Sequence, residues 1–317
     1  MAVRSDWYVG HLNASTDEAV RAAVCGLVVT WQPDDGVIER LERLRGQVDH
    51  LILIDNGSTT PAAGWIADWA ATVGARYVRN ERNLGLAGPF NVGARMALDD
   101  GCDWLCIVDQ DTTVSASLVA DMLAARVTHP RPSRVAMIGP VTHWQTSKRC
   151  TDRLWTRRQL VISSGSLLSL SAWQEVGGFR EDYYVDMVEA EYCLRLGTRG
   201  YRVILACRAT IDHRIGQPTT HRFLGHTLSV SNHSAWRRYY ITRNRIRTWL
   251  SYWRHAPAWV AFDAFGHFRS TDYMVMFEQG RRAKLAATAA GARDGLLGRM
   301  GELVTKPVEP EPTGPRR

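Results

Sequence analysis

The sequence predicts an α/β fold built on a mostly parallel central sheet. Three observations point there: short apolar runs recur, each ends in a polar cluster, and amphipathic segments of helical period separate them. The clearest run is Trp104-Leu105-Cys106-Ile107-Val108, which leads into Asp109-Gln110-Asp111 and a turn at Thr112-Thr113. A buried parallel strand ends this way at the sheet edge where open α/β folds bind ligands.

Taken in order, Ala23 to Val29 reads as a buried strand ending at Thr30. Pro33 suits a first helical turn, and Val37, Ile38, Leu41 and Leu44 fall on one face, so the spacing predicts a helix from 33 to about 45. Leu51 to Ile54 is a second strand, running into Asp55-Asn56-Gly57-Ser58. A helix over 61–73, a short strand over 75–78 and a helix over 88–99 complete the approach to Asp109. Further on come a helix over 116–127 and strands at Val135–Ile138, Leu160–Ile162 and Tyr201–Leu205. A glycine turn lies at Gly177-Gly178, a helix is expected near 188–199, and helix dominates from Trp236 onward. No linker separates the halves.

With 317 residues, 45% hydrophobic and 22% charged, the chain can bury one large core or two modest ones. No apolar run approaches the roughly 18 residues of a membrane span. The first residues lack a basic-then-apolar leader, so the expectation is a cytoplasmic protein. Cysteines at 25, 102, 106, 150, 193 and 207 are scattered without zinc-site spacing and read as buried reduced thiols. A net charge of +7 admits nucleic acid, anionic lipid or phosphorylated substrates as partners.

Four polar clusters follow successive strand ends: Thr30, Asp55–Ser58, Asn80–Gly85 and Asp109–Asp111. Together they define one ligand crevice. A carboxylate such as Asp55 can accept from the N–H of a pyrimidine ring, while asparagine and glycine let backbone approach sugar and phosphate. The chain has no Gly-x-Gly-x-x-Gly or P-loop pattern, so phosphate charge has to be neutralised otherwise. Asp109 and Asp111 share side-chain parity and can converge on a hard cation, Mg2+ or Mn2+. The competing reading of the same residues is an Asx-turn or helix cap.

The chain resembles the family-2 glycosyltransferases of GT-A fold. The resemblance rests on Val28-Val29-Thr30-Trp31-Gln32-Pro33, Ile54-Asp55-Asn56-Gly57-Ser58, Asn83-Leu84-Gly85-Leu86-Ala87, Asn91-Val92-Gly93 and Asp109-Gln110-Asp111. It continues through Ser164-Gly165-Ser166, Val176-Gly177-Gly178-Phe179, Glu189-Ala190-Glu191-Tyr192-Cys193-Leu194-Arg195 and His213-Arg214-Ile215-Gly216. Within that family it is most similar to bacterial rhamnosyltransferases of cell-surface polysaccharide assembly, through Asp-Gln-Asp, Cys193-Leu194-Arg195 and Arg238-Tyr239-Tyr240 ahead of Arg243-Asn244. The resemblance implies a nucleotide-sugar donor, foremost dTDP-L-rhamnose, held by Thr30, Asp55, Asn56, Asn83, Gly85, Asp109 and Gln110. It implies a divalent metal on Asp109, Asp111 and His213, and inverting transfer to a saccharide or lipid-linked saccharide. Family members usually carry Asp where this chain has Glu189, so Glu189 is the expected base and Asp186 its rival. Glu191 and Arg195, one helical turn apart, are expected to pair structurally. UDP-galactofuranose is the alternative donor. A sugar-nucleotide pyrophosphorylase is disfavoured, because Thr30-Trp31-Gln32-Pro33 is not a glycine- and lysine-rich phosphate loop.

Between Trp236 and Arg269 aromatic and arginine residues interleave. Such a segment suits an anionic membrane surface, giving peripheral contact at the inner face of the cell membrane. The alternative is ordinary packing on the sheet domain. Nothing matches a nucleic-acid motif, so no nucleic-acid partner is expected. The expected division is an arm over 1–22, a GT-A domain over 23–235, a helical extension over 236–305 and a disordered, proline-bearing tail over 306–317.

Overall fold

The computed structural model describes residues 22–142, 150, 153–213, 219–223 and 226–303. The arm before residue 22, the Arg214-Ile215-Gly216 part of the last motif and the tail from 306 lie outside the described residues.

The first half alternates strand and helix as the periodicity requires: β1 Val24–Thr30, α1 Val37–Arg45, β2 His50–Asp55, α2 Pro61–Val73, β3 Arg76–Arg79, α3 Ala87–Asp99 and β4 Trp104–Asp109. Then come β5 Thr113–Val114, α4 Leu118–Val127, β6 Val135–Thr142, β7 Trp155–Arg158, β8 Ser166–Ser169 and α5 Leu170–Val176. The chain continues with α6 Val188–Thr198, β9 Arg202–Asp212, a hairpin of β10 Thr219–Phe223 and β11 His226–Val230, and three helices, α7 Ala235–Tyr252, α8 Pro257–Phe277 and α9 Arg281–Leu297.

The main sheet runs β3-β2-β1-β4-β8-β6-β9-β5, with β7 on the free side of β9. β1 is parallel to both β2 and β4, and the strand order reverses at β1, the arrangement that opens a crevice at the carboxyl ends. Two buried layers sandwich the sheet. Leu27, Ile52, Ile107, Phe90 and Tyr192 pack on the α3–α5–α6 side, and Val28, Leu53, Val37, Leu41 and Met122 on the α1–α2–α4 side. Strands covered on both faces explain the unbroken apolar runs.

Three expectations are corrected. The first helix starts at Val37, not Pro33, because Asp34 turns the chain first: its carboxylate accepts from the Gly36 N–H at 3.0 Å and its carbonyl from Val37 at 3.3 Å. Leu160–Ile162 is not a strand. Val161 lies across β6, so close that a side chain on Gly139 would sit 2.5 Å from its Cβ; β7 and β8 flank it instead. Finally, Cys150 and Cys207 are joined by a disulfide, so only Cys25, Cys102, Cys106 and Cys193 are the expected buried thiols. Pairing of Trp155 with Ala206 draws the two together across 57 positions of sequence.

The run from Trp236 to Phe268 divides. On α7, Tyr239, Tyr240 and Tyr252 are buried, whereas Trp253 and, on α8, Phe262, Phe265 and Phe268 face outward. Among the described residues no helix is long and apolar enough to cross a membrane.

Candidate active site

Strand register sets the first row of the site. β1 and β2 bring Thr30 beside Asp55, and β1 and β4 bring Val29 beside Asp109. Asp55 is buried, and its carboxylate accepts from the Thr30 hydroxyl at 3.3 Å, from the Ser58 N–H at 3.3 Å and from the Ser58 hydroxyl. The guanidinium of Arg79 stands 3.7 Å away. Asp55 is thus a fixed, charge-compensated acceptor at the crevice floor.

Asn56, Asn83 and Gly85 shape the wall. Asn56 Nδ2 donates to the Gly85 carbonyl at 2.6 Å, and its Oδ1 accepts from Asn80 Nδ2 at 2.9 Å. Asn83 Oδ1 accepts from the Gly85 N–H at 2.8 Å. Gly85 has φ +76°, and a Cβ there would lie 2.2 Å from the Tyr184 carbonyl oxygen. Only glycine lets this loop rest on the turn that carries Asp186.

Gln110 has a positioning role. Its Oε1 accepts from the Trp31 N–H at 2.8 Å and its Nε2 donates to the Trp31 carbonyl at 2.9 Å, tying the ends of β1 and β4 together. Arg40 Nε donates to the Gln110 carbonyl at 2.6 Å. The clamp leaves the Trp31 ring half exposed at the rim.

Asp109, Asp111 and His213 converge. One ligand atom from each lies within 4.8 Å of the others, although β4 and β9 are not neighbours in the sheet. The link is β5, which pairs Thr113 with Asp212 and so carries Asp111 to His213. His213 Nδ1 is 2.7 Å from the Thr112 hydroxyl and 3.5 Å from Asp111 Oδ1, and its Nε2 is 3.9 Å from Asp109 Oδ2. Behind them Ser164 Oγ accepts from the Asp109 N–H at 3.0 Å and meets Thr112 Oγ1 at 2.7 Å. Burial pushes Asp109 up to about 6, against the pull of His213. Burial acts upward on Asp111 too, but the hydrogen bond and charge of His213 hold it below the usual carboxylate range. The hydrogen bond to Asp111 raises His213 in turn, against burial. Two carboxylates and an imidazole fit a hard or borderline divalent cation such as Mg2+ or Mn2+, whose charge would relieve the acid crowding.

The opposite wall is a strained turn. Tyr184, Asp186 and Met187 all have left-handed φ, at 64°, 59° and 64°. Each costs about 1–3 kcal/mol without glycine, so surrounding contacts must hold them. Asn244 of α7 does so, its Nδ2 lying within 2.7–2.9 Å of the carbonyls of Tyr183, Val185 and Asp186. Arg243 donates to the carbonyls of Asp182 and Tyr183, each at 3.2 Å. Asp186 therefore lies in the turn ahead of α6, which begins at Val188 as the sequence led us to expect. Arg237 grips the Asp186 carboxylate with Nε at 3.1 Å and a terminal nitrogen at 3.0 Å. Glu189 lies in the first turn of α6; burial pushes it up to about 7, its own N–H pulls down, and Asp186 and Asp109 push further up. The Glu191–Arg195 pair forms at 2.9 Å, with the Tyr252 hydroxyl donating to Glu191 at 2.7 Å.

The sequence reading therefore missed Arg237, Asn244, Thr112 and Ser164 as site residues. Asn244 and Ser164 stood in motifs noted for resemblance, without a role. Asn244→Ala removes two N–H donors from the turn and leaves the Val185 and Asp186 carbonyls without this clasp, while Tyr183 keeps Arg243. The expected outcome is about 1–3 kcal/mol less stability in urea unfolding and roughly tenfold lower kcat. A variant that is destabilised yet turns over at the wild-type rate would show that the clasp serves folding alone.

Residues 27–166 match the family model described as Glycosyl transferase family 2. A dTDP-rhamnosyl transferase, RfbF of Shigella flexneri, is 24% identical over 240 residues, covering 70% of this chain and 78% of that protein. The galactofuranosyltransferase GlfT1 of Mycobacterium tuberculosis is 34% identical over 108 residues, 31% of this chain and 35% of its own length. Among solved structures, GalNAc-T7 with UDP, GalNAc and Mn2+ superposes with TM-score 0.58 at 12% identity, over 87% of this chain; the chain spans 56% of that one. Residues 27–166 thus carry a Glycosyl transferase family 2 domain, on a chain that shares the GT-A fold of its structural neighbours.

Proposed function

We propose that the protein transfers L-rhamnose from dTDP-L-rhamnose, with inversion, to a lipid-linked saccharide in cell-wall or O-antigen polysaccharide assembly. One observation carries the mechanism: the Asp109, Asp111 and His213 cluster faces the turn bearing Glu189 across the crevice where donor-binding loops meet. The donor identity rests on the rhamnosyl transferase relative, which aligns over most of both chains.

In this reading Asp55 accepts from the pyrimidine N–H, and Thr30, Asn56, Asn83 and Gly85 shape the nucleoside wall. Gln110 holds the Trp31 backbone, and Asp109 faces the ribose. Asp109, Asp111 and His213 would hold a divalent ion, Mg2+ or Mn2+, which when bound supplies positive charge to the diphosphate. Glu189 is the base. Asp186 is committed to Arg237, whereas Glu189, raised to about 7, is poised to take a proton near neutrality. The acceptor oxygen bonds to the anomeric carbon as the bond to the diphosphate breaks. The bonding pair leaves with the diphosphate, the acceptor proton passes to Glu189, and a single displacement inverts the carbon.

Galactofuranose from UDP-galactofuranose is the second reading, favoured by the higher local identity to GlfT1. Incubation with a panel of nucleotide sugars, following nucleoside diphosphate release, separates them. Fastest release from dTDP-L-rhamnose is expected; fastest release from UDP-galactofuranose would overturn the rhamnosyl assignment.

Work on a lipid-linked acceptor at the cytoplasmic face fits the outward residues of α8. Phe262 is 78% exposed, with Phe265 and Phe268 on the same side, and Arg254 and Arg269 lie over Trp253 and Phe265. The protein is expected to sediment with anionic vesicles and to be released as salt rises. Phe262→Ser with Phe265→Ser should abolish sedimentation and spare transfer to a short soluble acceptor. Undiminished sedimentation of that variant would remove the membrane reading.

A further inference from the structure

After α9 the chain turns back towards the crevice. Gly298 ends that helix in the left-handed region, and residues 299–303 follow as a strap. Met300 packs against the layer that holds Phe90 and Tyr192. The Gly301 N–H donates to the Asp182 carbonyl at 2.7 Å, and the Gly301 carbonyl accepts from Arg243 Nη1 at 2.5 Å. The Leu303 N–H donates to the Tyr240 hydroxyl at 2.8 Å. The strap is thereby fixed to α7 and to the turn that carries Asp186. Between these anchors Glu302 pairs with the guanidinium of Arg82, 220 positions earlier.

Arg82 stands in the middle of the Asn80–Gly85 wall. Its backbone rests on Gly57, where a Cβ would come 2.7 Å from the Arg82 Cα. On either side of it the wall meets Asn56: Oδ1 of that residue accepts from Asn80 Nδ2 at 2.9 Å and from the Leu84 N–H at 3.3 Å. Residues 80–86 belong neither to β3 nor to α3, so contacts of this kind have to hold them. An exposed ion pair adds little to folding, because water screens it. Tied to an anchored strap, however, it restricts where the loop can sit, and a wall already in place spares the ligand the cost of ordering it. We propose that Glu302 is a positioning residue for the donor: through Arg82 it holds the wall in the geometry that receives the nucleoside, so that the C-terminal extension completes the donor site. The proposal rests on the nucleotide-sugar reading of the crevice and not on which sugar is transferred.

Glu302→Gln and Arg82→Gln, made singly in the full chain, should each raise the donor KM about threefold to tenfold. Calorimetric binding of dTDP or UDP, whichever the enzyme releases, should weaken by the same factor in the presence of Mn2+. The value of kcat, the acceptor KM and the melting temperature should stay as in wild type, whereas a merely structural pair would move the melting temperature and not split KM from kcat. The two losses should not add, since either change breaks the same pair. Arg82→Glu alone should be worse than Arg82→Gln, because like charges then face each other, and adding Glu302→Arg should bring the donor KM back to within about twofold of wild type. The glutamine variants decide the matter if the charge-swapped chain does not fold. Unchanged donor KM in both of them, additive losses, or a folded swap without recovery overturns the proposal and leaves the donor reading intact. Wild type that binds neither dTDP nor UDP overturns the donor reading, and the proposal with it.

Discussion

Asp111→Ala should lose transfer by about two to three orders of magnitude in kcat while remaining folded. The side chain is nearly half exposed and stands just past the end of β4, so removing it takes nothing from either packed layer. Stability should change by no more than about 0.5 kcal/mol, the ordinary range for surface positions. Calorimetric titration with Mn2+ should show binding by wild type and none by the variant. Treating wild type with a chelator should reproduce the defect, and Mg2+ or Mn2+ should reverse it. Near-wild-type turnover by Asp111→Ala would dismantle the cation assignment.

Glu189→Gln should cost about a hundredfold or more in rate with donor affinity nearly unchanged, since the amide keeps the size but cannot take the proton. It carries a second signature. The folded-state value of about 7 lies above the ordinary 4.5, so the protonated side chain favours folding. That contribution is complete below pH 4.5 and lost as pH rises through 7. The neutral glutamine avoids the loss. In chelator, the variant should therefore gain stability relative to wild type between pH 4.5 and pH 8, an inactive enzyme that melts higher in base. Activity retained by Glu189→Gln but absent in Asp186→Asn would transfer the role to Asp186. Asp186→Asn also frees Arg237, so its melting temperature must be read beside its rate.

The first half of the fold was legible because each buried strand is a short apolar run and each helix repeats at its own period. The helix over 61–73 was placed to the residue, and β4 and its acidic end carried the site. What stayed hidden depends on partners remote in sequence. A two-residue strand such as β5 has no period to detect, and its identity comes entirely from pairing with β9. Val161 has a strand-forming sequence, but the space over Gly139 gives it a packing role instead. Asn244 looked like one more polar residue in an aromatic helix; its meaning arises from three carbonyls nearly sixty positions away, in a turn whose left-handed residues bear no glycine to announce them. The acidic residues, by contrast, were legible in chemistry, and the choice between Glu189 and Asp186 as base falls to the paired Glu189→Gln and Asp186→Asn measurements.

The pairing of β5 with β9 has a consequence for how the enzyme comes into being. Thr112 and His213 are 101 positions apart, and the matched family region ends at residue 166, well short of the histidine. A chain ending there would keep Asp109 and Asp111 yet lack His213, the third member of the cluster. On the ribosome, the ion site is completed only after the last long strand of the sheet has emerged and docked. Divalent cation should then stabilise the wild-type chain by RT ln(1 + [M]/Kd), and raise the melting temperature of His213→Ala far less.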